Sequence, residues 1–311
     1  MLRLLKKLFS RGYKSNTPSR YDASQSRFER YEFSPVRFEC TLSSMSHSGA
    51  CNELFLDTYS PDAIRDIMNR NGLTGHLRDN GFAKQVLNIE KTNSGIHILR
   101  IYNGKTAPER LLIEIRLSRI IYMPEERHVT GVIKDRRFNV VAVEWLTLQN
   151  PKLSFTSSRP RLPGQAFPGL GAVQYITPLM EMFAGDLGAE AILDVPEQFH
   201  AAVMYSQKFK FMDPAREGML RAVLRDLESH SLADLSWGFI TGTICDASTG
   251  EPFPYEPSEQ VLPIAESLAR YFTSREYLKR VENAMNSIRY ALDYDRMARE
   301  RENHPDYKQY T

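Results

Sequence analysis

The chain has 311 residues, 42% of them hydrophobic, which is enough to bury a sizeable core in one large or two ordinary domains. Its 40 Lys and Arg against 38 Asp and Glu leave a net charge of +2, which excludes a global pull toward nucleic acid, so any basic function must be local. Cys40, Cys51, Cys245 and seven scattered histidines give no disulfide framework and no metal-ligand spacing; this cysteine usage fits a reducing compartment and a cytoplasmic setting.

No apolar run is long enough for a membrane-spanning helix. At roughly 100° per residue, Leu2, Leu4, Leu5, Leu8 and Phe9 share one side of a helix, and Arg3, Lys6, Lys7 and Arg11 share the other. Four readings stay open for residues 2–11: peripheral contact with an anionic membrane or acidic partner, a disordered basic leader, a helix docked on the domain, and a targeting peptide. Residues 12–35 are polar and turn-rich, so residues 1–35 read as a basic leader and tether.

Structure is expected from Val36, with strands at 36–42 and 53–58. Ser60-Pro61-Asp62 is a helix start, because the serine caps and proline fits the first turn. Ala63, Ile64, Ile67 and Met68 form the buried side, and Asn71-Gly72 ends the helix. Alternating or β-branched runs at 85–89, 95–102, 111–121, 129–133 and 138–148 predict successive strands and a largely antiparallel sheet. Ile113, Ile115 and Leu117 share one strand face, with Glu114 and Arg116 on the other. Residues 138–148 are more continuously apolar, as a central strand requires, and Glu144 interrupts them.

Residues 150–160 read as loop, and a Pro/Gly-rich turn occupies 161–171. A helix is expected at 171–187 with Pro178 as a kink or boundary, then a buried strand at 189–195. A helix at 199–208 and a strand at 209–212 complete this α/β domain, which spans 36–214. From 215 the character changes. Ala215 to Leu227 is an amphipathic helix, 246–257 a surface loop, and 258 onward mostly helical, including 275–299. Residues 215–311 therefore read as a helical extension that packs on the sheet or on a second copy of the chain, making a homodimer a candidate assembly.

The order strand, glycine turn, helix, strand, helix, strand across residues 138–212 resembles the core of GNAT-fold acyltransferases, over about residues 50–214. In that family the strand before the turn splays from its parallel neighbour, the opening admits the pantetheine arm of coenzyme A, and amides of an Arg/Gln-x-x-Gly-x-Gly/Ala motif hold the pyrophosphate. Arg161-Leu162-Pro163-Gly164-Gln165-Ala166 carries the letters of that motif, while Gln165 and Gly169 stand one residue further apart than it allows. Residues 201–211 are similar to the family's Tyr-x-x-x-Gly-Phe ending, with Phe209 where glycine is usual.

The resemblance implies a mixed α/β fold and acetyl-CoA or a longer acyl-CoA as donor, with a small-molecule or peptide amine as acceptor. Amides of Gly169, Leu170, Gly171 and Ala172 would hold the phosphates at a helix start, with Arg161 and Gln165 assisting. Glu144 would accept the amine proton, and Tyr205 would protonate the leaving thiolate. Asp194, at the carboxyl end of the parallel strand, and His200 are substrate candidates. Each has an ordinary alternative: a helix cap or bend for the turn, an ion pair for Glu144 or Asp194, packing for Tyr205 and His200. At the level of function the rivals are a non-catalytic binding or assembly protein of the same fold, and a membrane-peripheral acyltransferase.

Overall fold

The computed structural model of the chain describes residues 32–33, 54–125 and 133–308. The leader at 2–11, the strand expected at 36–42 and all but one residue of the strand expected at 129–133 lie outside them. No helix among the described residues is long and apolar enough to cross a membrane.

Strand β1 (Glu32–Phe33) pairs antiparallel with the end of a later strand. The strand expected at 53–58 is replaced, over residues 54–58, by a tight turn closed by mutual backbone bonds between Phe55 and Tyr59. Leu56 and Asp57 take left-handed angles, φ 57° and 56°. The reversal is held because the Leu56 amide donates to His97 Nδ1 at 3.0 Å, and it buries Phe55 and Leu56 together instead of on alternate faces. Helix α1 (Pro61–Arg70) begins as its sequence dictates, with Ser60 Oγ accepting from the Ala63 amide at 3.2 Å. Gly72, at φ 84°, turns the chain into α2 (Leu73–Asp79).

Strands β2 (Gln85–Lys91), β3 (His97–Asn103), β4 (Leu111–Tyr122) and β5 (Phe138–Leu148) form an antiparallel run. Helix α3 (Val173–Asp186) then returns the chain to β6 (Ala191–Asp194), which lies parallel to β5. Helix α4 (Phe199–Tyr205) leads into the short β7 (Lys210–Phe211). The expected amphipathic helix comes next as α5 (Pro214–Asp226), then α6 (Leu232–Ile240) and β8 (Ile244–Asp246).

The C-terminal part departs from the helical expectation in two places. Gln260–Pro263 is a strand, β9, inserted between β6 and β7, so the extension lends a strand to the central sheet. The helix expected over 275–299 is divided. After α7 (Glu266–Thr273), α8 (Arg275–Ser287) stops and β10 (Tyr290–Leu292) pairs with β8 before α9 (Tyr294–Asn303) and the short α10 (Pro305–Lys308). The break gives the otherwise lone β8 a partner, and ladder bonds there outweigh continued helical propensity.

The central sheet runs β2-β3-β4-β5-β6-β9-β7, mostly antiparallel with one parallel pair. Strand alternation sends Ile113, Ile115, Leu117, Val141 and Ile192 to a core shared with α1, α2 and α3. The other face sends Ile120, Val140, Ala142, Ala191 and Leu193 against Leu268, Tyr271, Tyr277 and Val281 of α7 and α8. A further core joins α4, α5 and α6, with Leu162 from the β5–α3 loop inserted among them.

Candidate active site

The parallel ladder between β5 and β6 is short: Val140–Ala191, Val141–Ile192 and Ala142–Leu193. Strand β6 ends at Asp194, whereas β5 runs on to Leu148. At that far end the returning loop takes the place of β6. The Leu170 amide donates to the Leu148 carbonyl at 3.2 Å, and the Asn150 amide donates to the Pro168 carbonyl at 2.8 Å. The parallel ladder thus ends at Ala142 and Leu193, and further along β5, at Leu148, its partner is the chain entering α3.

Glu144 sits inside this stretch. Arg116 faces Trp145 and Leu117 faces Val143, so Glu144 is the extra residue of a β-bulge. Its side chain is fully buried and accepts a 2.5 Å hydrogen bond from Ser118 Oγ of β4. The polar interruption visible in the sequence is therefore an interior carboxylate with a dedicated donor, set where the strand changes register.

The start of α3 fixes the geometry of a second group. Gly171 has φ 77°, and the N-cap, Ala172, has no side-chain acceptor to offer. Helical bonding begins with the Tyr175 and Ile176 amides, both donating to the Ala172 carbonyl. Among the described residues, no backbone acceptor receives the amides of Gly171, Ala172, Val173 and Gln174. Orphan amides with the positive end of a helix dipole favour an anion. Of the four expected amides, that of Leu170 is used by β5; the bridge between Gln149 and Gly169 is held by the Leu170 and Asn150 amides.

A cavity of about 240 Å³ opens beside this helix start, between α3 and the end of α4. Val173, Gln174 and Pro178 line one wall; Tyr205, Lys208 and Phe209 line the other. Pro178 has no N–H, so the Gln174 carbonyl lacks its usual helical donor on the cavity side of α3. Tyr205 packs against Phe209 with ring centroids 5.5 Å apart, and Lys208 Nζ lies 2.5 Å from Glu181. Val173 and Gln174, the first residues of α3, thus line the same cavity as Tyr205 and Lys208, whose ammonium is matched by Glu181.

No family model, curated protein or solved structure matches this chain.

The remaining candidates fall into different places. Asp194 is buried at the end of β6, in register with Gln260 of β9. His200 is 1% exposed, and its Nδ1 has no hydrogen-bond partner. Burial pushes its pKa down to about 3, so the ring is neutral. Neither residue lines the cavity beside Tyr205. Arg161 and Gln165 are engaged within their own loop: Arg161 Nε donates to the Gln165 carbonyl at 3.0 Å, and Gln165 Oε1 accepts from the Leu162 amide at 3.1 Å. Arg161 also donates to the Tyr307 carbonyl at 3.0 Å and stands over the Phe155 ring, so it faces a different cavity from the α3 start. The motif letters at residues 161–166 therefore tie the loop to the C-terminal helices, with Arg161 Nε and Nη1 and Gln165 Oε1 bonded to backbone groups.

Lys208, Gln174 and Ser118 were not singled out by the sequence. Lys208 had one usable signal, its position three residues after Tyr205 on the same helical side; Ser118 had none, because strand pairing alone brings it to Glu144. Among the described residues, no three His, Cys, Asp or Glu side chains gather as a metal site.

Proposed function

We propose that the protein is an acyltransferase that takes an acyl group from a coenzyme A thioester and passes it to an amine. The observation that carries this reading is the early end of the β5–β6 ladder, together with the cavity that the first turn of α3 shares with Tyr205. Support comes from the GNAT-like order of elements: an antiparallel run, one parallel pair joined through α3, and a helix after it.

In this reading the amides of Gly171 to Gln174 hold the pyrophosphate, and Lys208 adds positive charge. The amine nitrogen attacks the thioester carbonyl and forms the new C–N bond while the C–S bond breaks. Glu144 receives the proton lost by nitrogen, directly or through a water, and Tyr205 supplies a proton to the departing sulfur. The bulge makes Glu144 the unpaired residue of its strand, and Ser118 on β4 donates to one of its oxygens and holds the side chain against that strand.

Calorimetry with acetyl-CoA, octanoyl-CoA and coenzyme A tests the donor. Saturable binding of all three is expected, and absence of binding at millimolar ligand removes the reading. A second reading, a non-catalytic acyl-CoA-binding protein, draws on the complete burial of Glu144 and its absence from the cavity lining. Thiol release from acetyl-CoA in the presence of a panel of amines separates the two: binding without release favours the second.

A further inference from the structure

A cavity of about 680 Å³ lies between the β5–α3 loop and the C-terminal helices. It shares no lining residue with the cavity beside Tyr205. Its lining begins at Pro151, in the turn that follows β5, and includes neither Glu144 nor Tyr205.

Two guanidinium groups, Arg161 and Arg301, line this cavity, and none of its described lining residues is acidic. Arg161 is 6% exposed and is fixed by the Gln165 and Tyr307 carbonyls, with its plane over the Phe155 ring at 4.8 Å. Trp237 secures the backbone beneath it, donating from Nε1 to the Arg161 carbonyl at 2.9 Å. Arg301 stands over the Tyr307 ring at 5.5 Å, and its Nε is buried with no acceptor. Asp234 Oδ1 forms an ion pair with Arg301 Nη1 at 3.8 Å, while its Oδ2 accepts from the Ser231 amide and hydroxyl to cap α6. The cationic end of the cavity is thus held by aromatic rings, backbone carbonyls and one long ion pair, two guanidinium groups to one carboxylate.

The rest of the wall carries three rings, Phe155, Phe167 and Tyr307, with prolines between them and the hydroxyls of Ser154, Thr156 and Ser157 along one side. Planar guanidinium groups read a carboxylate in two-point fashion, and aromatic walls favour a flat ring over a flexible chain. We infer that this cavity is a binding site for a small aryl carboxylate, the carboxylate meeting Arg161 and Arg301 and the ring meeting the aromatic wall.

Calorimetric titration of the full-length protein with phenylacetate tests this, with phenylacetamide and inorganic phosphate as comparisons. Phenylacetate is expected to bind saturably with a dissociation constant of about 0.1–1 mM, and each comparison compound about tenfold more weakly. Arg301→Gln is expected to weaken phenylacetate about tenfold. Ser154→Glu, on an exposed loop residue of the same lining, adds a carboxylate without touching the core and is expected to have a comparable effect. Absence of saturable phenylacetate binding, equal binding of phenylacetamide or phosphate, or unchanged binding in folded Ser154→Glu protein would overturn the assignment.

Discussion

Ser118 Oγ of β4 donates to Glu144 Oε1 of β5 across 2.5 Å, and neither side chain reaches solvent. The contact spans the one place where the β4–β5 ladder slips by a residue. A carboxylate in such a position is costly to bury, and each donor that meets it offsets part of that cost.

Ser118→Ala removes one donor from a buried carboxylate without changing the strand's backbone. The expected result is a loss of about 1–3 kcal/mol of unfolding free energy, measured by urea denaturation. Ser118→Thr, which restores a hydroxyl, should recover part of it. A Ser118→Ala protein as stable as the parent would mean that the serine contributes nothing to holding Glu144.

Gly171→Ala places a Cβ at φ 77°, and it does so at the first unused amide before α3. A cost of about 1–2 kcal/mol in stability is expected from the backbone angle alone. If the α3 start holds a pyrophosphate, affinity for coenzyme A falls as well, whereas Gly188→Ala, also at positive φ but at the other end of α3, leaves it unchanged. Parallel calorimetry on the two variants distinguishes an anion site from a general loss of fold.

Tyr205→Phe retains the ring packed on Phe209 and removes only the hydroxyl. Under the proposed acyl transfer, turnover falls by roughly 10²–10⁴ while acyl-CoA affinity changes little. Equal falls in affinity and turnover would instead assign Tyr205 to binding.

Two buried histidines set the acid limit of the fold. Burial lowers His200 to about pKa 3; His97 falls to about 4, with burial outweighing the raising effect of the nearby Asp57. Protonation of His97 would also end its acceptance of the Leu56 amide at Nδ1 and undo the turn at 54–58. Both rings are neutral when folded, yet take up protons below their ordinary value of 6.5 once unfolded. Their contribution is therefore complete above pH 6.5 and is lost as the pH falls toward 4 and then 3, at up to about 1.4 kcal/mol per pH unit for each ring. Urea unfolding near pH 7.5 and pH 5 should show this decline, and His97→Asn should flatten it.

Gly218 allows α5 and α8 to touch. An added Cβ would lie 2.6 Å from Ala284 Cβ and 2.7 Å from the Val281 carbonyl. Gly218→Ala is expected to destabilise by about 1–3 kcal/mol, read as a lowered thermal midpoint, because the obstacle is backbone rather than a movable side-chain tip.

Much of the scaffold was legible from local chemistry. Ser60-Pro61-Asp62 announced α1, the alternation of Ile113, Ile115 and Leu117 announced β4, and the nearly unbroken apolar run of residues 140–143 announced a central strand. What was hidden depends on partners distant in sequence. Gln260–Pro263 is a four-residue strand with no alternation of its own, and only the edges of β6 and β7 make it one. Leu56 adopts an angle that its residue type disfavours, and His97, 41 residues on, holds it there by accepting the Leu56 amide. At the site, the glycine turn was visible and so was Tyr205, but the choice of amides was not. Leu170 looks like any other residue of the turn until Leu148 claims its N–H.

The insertion of β9 also orders events during synthesis. Residues 191–211 leave the ribosome as two short segments that cannot bond to each other, and their common partner emerges about fifty residues later. Until then β6 has β5 as its one neighbour and β7 has none among the described strands, which leaves unpaired edges. A chain not yet extended to Gln260 therefore lacks the strand that joins β6 to β7, and the central sheet closes only when the C-terminal part arrives.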